Sequence, residues 1–187
     1  MFRGGKQRSE VCMRFLAAIG ALAIVVGIGA AAFFFGGYYN VAGTAADPAP
    51  VTWALTQVRV ASINRHANDR PPASFGDAAM VQAGAKAYAA FGCATCHGAP
   101  GVMWLKLSEG MHPYPPDLKK VAGDLSPAQL FWIVKNGINM TGMPSFAEAG
   151  ATDDEIWAIA AFVKKLPSGV SDADYKSWTA GVEPKQH

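Results

Sequence analysis

The stretch Cys93-Ala94-Thr95-Cys96-His97 decides how the chain reads. It has the form C-x-x-C-H, the attachment pattern of a c-type haem. Two intervening residues close a tight turn, so each sulfur can form a thioether bond at one edge of a macrocycle. The adjacent histidine is then aimed at the metal. A zinc site would need two more ligands at matching spacing, and no second cysteine pair exists. A thioredoxin-type C-x-x-C would not require the histidine and would sit in a βαβ pattern, which is absent. The motif therefore predicts one covalently bound haem c, carried on Cys93 and Cys96 with His97 as an iron ligand.

The surroundings of the motif say where it works. The chain has 187 residues, of which 51% are hydrophobic. That is high for a small domain and points to a membrane segment. Phe15 to Phe35 is an uncharged run, FLAAIGALAIVVGIGAAAFFF. As a helix it would span about 31 Å, the thickness of the hydrocarbon core. Arg3, Lys6, Arg8 and Arg14 precede it against Glu10 alone, which favours a cytoplasmic N-terminus. Phe33, Phe34 and Phe35, with Tyr38 and Tyr39, suit an aromatic belt at the far interface. A cleaved signal peptide, cut near Thr44-Ala45-Ala46, is the rival reading. Its apolar core would be shorter, so an uncleaved anchor is expected. Either way the remainder lies outside the cytoplasm, in the periplasm of a bacterium, and Cys12 on the other side is a free thiol.

Four segments follow: residues 1–14, a basic cytoplasmic arm; 15–37, a transmembrane helix; 38–75, a periplasmic linker with a juxtamembrane amphipathic helix over Thr52 to His66; and 76–187, the haem domain. The amphipathic helix could lie on lipid headgroups, pack on the haem domain, or dock a partner membrane subunit. Residues 76–187 carry nine lysines, no arginine and eleven carboxylates, so this part is mildly acidic and nothing suggests nucleic-acid binding.

Within the haem domain the pattern is helical. Val81, Gly84, Ala87, Tyr88 and Phe91 recur at helical spacing behind Asp77, which can act as an N-cap. Residues 98–125 read as a loop punctuated by Gly and Pro. Ser126-Pro127-Ala128-Gln129 and Thr152-Asp153-Asp154-Glu155 are capping boxes opening two further helices. The second ends at Pro167, and Ser171 to Thr179 forms a short last helix. No strand alternation is convincing.

A six-coordinate iron needs a second axial ligand. Met143 fits best. Gly142 before it lets the backbone approach the ring, and Pro144 stiffens the loop. Met140, three residues earlier, stays open as a substitute, and His112, His66, Met103 and Met111 are further alternatives. A thioether is soft and neutral, so Met/His ligation raises the reduction potential and closes the iron to outside ligands. His97 should donate its other ring nitrogen to a backbone carbonyl, which Pro113 to Pro116 could supply. Trp104, Tyr114, Trp132 and Phe146 are candidates for walling the porphyrin. Lys106, Lys119, Lys120 and Lys135 are candidates for steering an acidic partner.

Taken together, residues from about Asp77 to Pro167 resemble the class I monohaem c-type cytochromes, of a bacterial type often attached to membranes. Gly84-x-x-x-Tyr88, C-x-x-C-H, Gly142-Met143-Pro144 and the aromatic Phe162 carry the resemblance. It implies a mainly α fold, in which a small all-α domain follows the transmembrane helix. It also implies that the N- and C-terminal helices of that domain cross near Gly84, that His97 and Met143 ligate the iron, and that the protein shuttles single electrons. It is then no enzyme itself, though it could be the cytochrome subunit of an oxidoreductase complex. The expected partners are membrane lipid, a quinol-oxidising complex or dehydrogenase as donor, and a terminal oxidase or soluble cytochrome as acceptor. A free tether and a fixed subunit of one respiratory assembly both satisfy this. The alternative class is an open-site haem protein, a peroxidase or small-molecule sensor, which requires that Met143 not bind.

Overall fold

A computed structural model describes residues 4–185. Arg3 and the side chain of Lys6, two of the basic residues named above, lie outside the described part. The chain forms two units, Met1–Ala42 and Gly43–His187.

The first unit is helix α1, Gly4–Phe35. Its run of Ala, Leu, Ile and Val lacks proline, and the Gly36-Gly37 pair ends it, with Gly37 at a φ of 68°. The stretch Glu10–Phe35 is long and apolar enough to cross a membrane. At its end the Phe33 ring meets those of Phe34 and Tyr39 edge-on, at centroid distances of 6.0 and 6.4 Å.

The second unit is helical, with no strand among the described residues. Its helices are α2 (Ala49–His66), α3 (Ala78–Ala90), α4 (Ala94–His97), α5 (Leu118–Val121), α6 (Pro127–Asn136), α7 (Asp153–Lys165) and α8 (Asp172–Trp178). Tight 3-10 turns cover Lys106–Gly110, Ala122–Asp124 and Leu166–Ser168.

The core is organised by α7, whose residues from Ile156 to Val163 are all buried. On one side α3 crosses it. Gly84 makes that crossing possible: a Cβ there would collide with the Ala158 carbonyl and come within 2.8 Å of Phe162 Cβ. The aromatic rings of Tyr88 and Phe162 lock the crossing edge-on at 5.2 Å. On the other side α6 packs through Leu130, Phe131 and Val134, with Phe131 stacked on Trp157 at 4.1 Å. The crossing implied by the resemblance is thus the centre of the fold.

Both capping boxes form. Ser126 and Thr152 each accept from the backbone N–H three residues on, and Gln129 and Glu155 return the contact. Asp77 differs. It occupies the N-cap position of α3, yet its carboxylate makes no capping hydrogen bond. The segment 98–125 is also more ordered than expected. Asp117 accepts from the Lys119 N–H at 3.1 Å and starts the single turn of α5, which is too short to show a period in sequence.

Helix α2 begins at Ala49, three residues before the expected start, because Pro48 and Pro50 favour the first turn. Its C-terminal half packs on α6. Ile63 is buried, Gln129 Nε2 donates to Asn64 Oδ1 at 2.6 Å, and His66 stacks on Trp132 at 6.1 Å. Its N-terminal half leaves Trp53 and Val58 exposed.

Candidate haem site

The site begins where α3 ends. The Cys93 backbone N–H donates to the Tyr88 carbonyl at 3.1 Å. The Tyr88 hydroxyl donates to the Gly98 carbonyl at 2.7 Å. One residue of α3 therefore holds both edges of the Cys93–His97 turn. Within that turn the His97 N–H bonds the Cys93 carbonyl at 3.0 Å, giving the single turn of α4. Glycines close both ends, Gly92 at a φ of 71° and Gly98 at 67°, conformations that a side chain would oppose.

Cys93 and Cys96 form no disulfide. Cys93 is buried in the core cluster, and that burial pushes its thiol up to about 12. A thiol shielded in this way is the opposite of the exposed, acidic thiol of a redox C-x-x-C. Among the described residues no three of His, Cys, Asp and Glu converge as a metal cage. The zinc reading thus finds no converging donor set among the described residues.

His97 is half-buried, and desolvation lowers its basicity, opposed by its hydrogen bond to Pro116. Its Nδ1 lies 2.9 Å from the Pro116 carbonyl. A carbonyl only accepts, so Nδ1 carries the proton and Nε2 keeps its lone pair. Pro116 comes from the stretch of four residues that the sequence left undivided.

The loop after α6 is held back on itself. Ile138 N–H donates to the Met143 carbonyl at 3.1 Å, and Met143 N–H donates to the Thr141 hydroxyl at 3.1 Å. Gly137 permits this with a φ of 68°, since a Cβ there would press on the Met143 and Pro144 backbone. Met143 is half-buried and packs on the same apolar cluster as Cys93, Leu118 and Leu125. Met140 is 73% exposed and has a φ of 59°. Met111 also reaches the loop: a Cβ on Gly142 would lie 2.7 Å from its sulfur.

The remaining candidates separate. Phe146 is buried against Phe91, ring to ring at 5.8 Å, and Trp132 is engaged by His66. Trp104 and Tyr114 stay exposed, and His112 stands against Tyr114 at 4.8 Å. Lys135 is not a free steering charge: it bonds Asp153 at 2.7 Å and covers the Phe131 ring. Lys106 and Lys119 are exposed.

Two thiols and an imidazole with one nitrogen unused on the Cys93–His97 turn, with a thioether that shares the apolar cluster of Cys93, are a donor set that suits haem c. The match with known families agrees. The family model described as "Cytochrome C oxidase, cbb3-type, subunit III" matches residues 79–163. Those residues are a class I-like cytochrome c domain. No curated protein and no solved structure matches the chain. The cytochrome domain runs from the start of α3 to the end of α7, so it contains the crossing, the C-x-x-C-H turn and the methionine loop together.

Proposed function

We propose that this protein is a membrane-tethered electron-transfer cytochrome, with one haem c bonded to Cys93 and Cys96 and ligated by His97 and Met143. The observation that carries the reading is the placement of Met143, half-buried on the apolar cluster that holds Cys93, while Met140 faces solvent. When bound, the haem supplies a one-electron ferrous–ferric couple. The chain's residues set its terms. His97 would offer Nε2 to the iron; its Nδ1–H bond to Pro116 fixes the ring and would make it a stronger donor. Met143 would offer a neutral sulfur, which favours the ferrous form and would close the iron to outside ligands. Cys93, Leu118 and Leu125 belong to the apolar cluster on which Met143 packs.

Helix α1 would anchor the domain by a single span, with the basic arm cytoplasmic and the cytochrome domain periplasmic. Electrons would come from a quinol-oxidising complex or dehydrogenase and leave to a terminal oxidase or soluble cytochrome. The family description supports a fixed place in an oxidase assembly over a free tether. The test is purification in mild detergent. A haem-stained band near 19.7 kDa that survives denaturation is expected, comigrating with a larger complex before it. A haem-free band, or ready carbon monoxide binding to the ferrous protein, would defeat the proposal in favour of an open-site protein.

A further inference from the structure

The His97–Pro116 hydrogen bond raises a mechanical question. Pro116 is exposed, so its carbonyl is not held in place by its own burial. The short segment that follows it must hold it. That segment is one hydrogen-bonded unit: the Lys120 and Val121 N–H groups reach the Asp117 carbonyl at 3.0 and 3.3 Å, and the Asp117 side chain holds Lys119 N–H. The unit continues into the turn Ala122–Asp124, and there its last carbonyls need donors.

The donor comes from another helix. Lys164, half-buried in the last turn of α7, sends its ammonium to the carbonyls of Leu125 at 2.6 Å and Gly123 at 2.8 Å, with Ala122 at 3.5 Å. An ammonium has three donors and suits such a carbonyl cluster at a helix C-terminus. Leu118 and Leu125 add apolar contact with the core. Helix α7 is the most deeply buried element of the fold, so the clasp ties the histidine's hydrogen-bond partner to the rigid core.

We propose that Lys164 is a positioning residue for the iron-ligating His97, acting through the 116–125 segment. The proposal rests on the reading that His97 would ligate the haem iron. The carbonyls that Lys164 holds fix the segment, the segment fixes Pro116, and Pro116 fixes the proton and orientation of the imidazole. Without the clasp the Nδ1–H bond opens more often, and the histidine becomes a weaker donor to ferric iron.

The experiment compares full-length haem-loaded protein in detergent as wild type, Lys164→Arg and Lys164→Met. The readouts are solvent exchange of the His97 Nδ1 proton by NMR and the reduction potential. Lys164→Met is expected to speed that exchange about tenfold, the loss of one or two modest hydrogen bonds. Lys164→Arg, which keeps a multidentate cation, should exchange close to wild type. A role as a mere nearby charge predicts a lower potential with unchanged exchange, and that result would overturn the clasp. If Lys164→Met does not fold, the wild type decides: ammonium protons of Lys164 in slow exchange support the clasp, and freely exchanging ones overturn it. A normal haem spectrum with unaltered exchange defeats the clasp alone, whereas failure to take up haem defeats both proposals.

Discussion

Gly84 of α3 lies directly against the Ala158 carbonyl of α7, with no room between them for a methyl group. The two helices approach closely because of this one missing side chain. The haem motif hangs from the C-terminal end of α3, and the clasp of Lys164 sits at the C-terminal end of α7. The crossing thus sets the distance between two parts of the candidate site.

Gly84→Ala should accordingly destabilise the domain by about 1–3 kcal/mol or more, since the obstacle is backbone and cannot rotate away. Denaturant unfolding followed by helical circular dichroism would show this as a lower midpoint at unchanged slope. An unchanged midpoint would mean that the crossing relaxes freely.

Met143→Ala and Met140→Ala should behave differently. The first should abolish the weak far-red absorption of methionine-bound ferric haem and lower the reduction potential. The second should leave both unaltered, because Met140 is exposed. Spectra of the two ferric variants side by side check this, and the reverse pattern would assign the ligand to Met140.

Glu155 links stability to pH. Its carboxyl is held below the usual value chiefly by the Lys185 ammonium, 2.6 Å away, and also by the Thr152 N–H. A carboxylate with a depressed folded pKa stabilises the fold above its unfolded value, and that contribution fades as pH falls through the folded value. Glu155→Gln keeps a capping-box acceptor but loses the ion pair. At neutral pH it should cost at most about 1 kcal/mol, as surface pairs do. The gap between variant and wild type should close on acidification below the ordinary value of 4.5. Unfolding midpoints at neutral and acid pH measure it.

Ile63→Ala should release α2 from α6 while leaving the haem spectrum alone. Ile63 is the buried residue of α2, and its removal should cost roughly 2 kcal/mol or more of local stability. Hydrogen exchange should rise in α2 amides and stay low in α7.

Much of this protein is written locally and was therefore legible in its sequence. The C-x-x-C-H turn needs only five consecutive residues. The capping boxes at Ser126 and Thr152 need four, and the apolar run of α1 needs no partner at all. These features depend on contacts within one turn, which residue type and spacing specify. Asp77 marks the limit: the right residue stood at the right position, but its carboxylate makes no capping bond.

What the tertiary structure decided are relationships between residues far apart in the chain. The sequence offered Met143 and Met140 in one loop, and only folding packed one on the core cluster and exposed the other. It offered four residues as partners for His97, and the path of the chain brought up Pro116. It contained no sign that Lys164 serves carbonyls some forty residues away, because a lysine near a helix end is ordinarily a solvated charge. Backbone carbonyls are the same at every position, so no residue code marks which of them a distant side chain will meet. Cys93 to His97 thus determined that the chain holds a haem motif, while the packing of α3, α6 and α7 determined which groups stand around it.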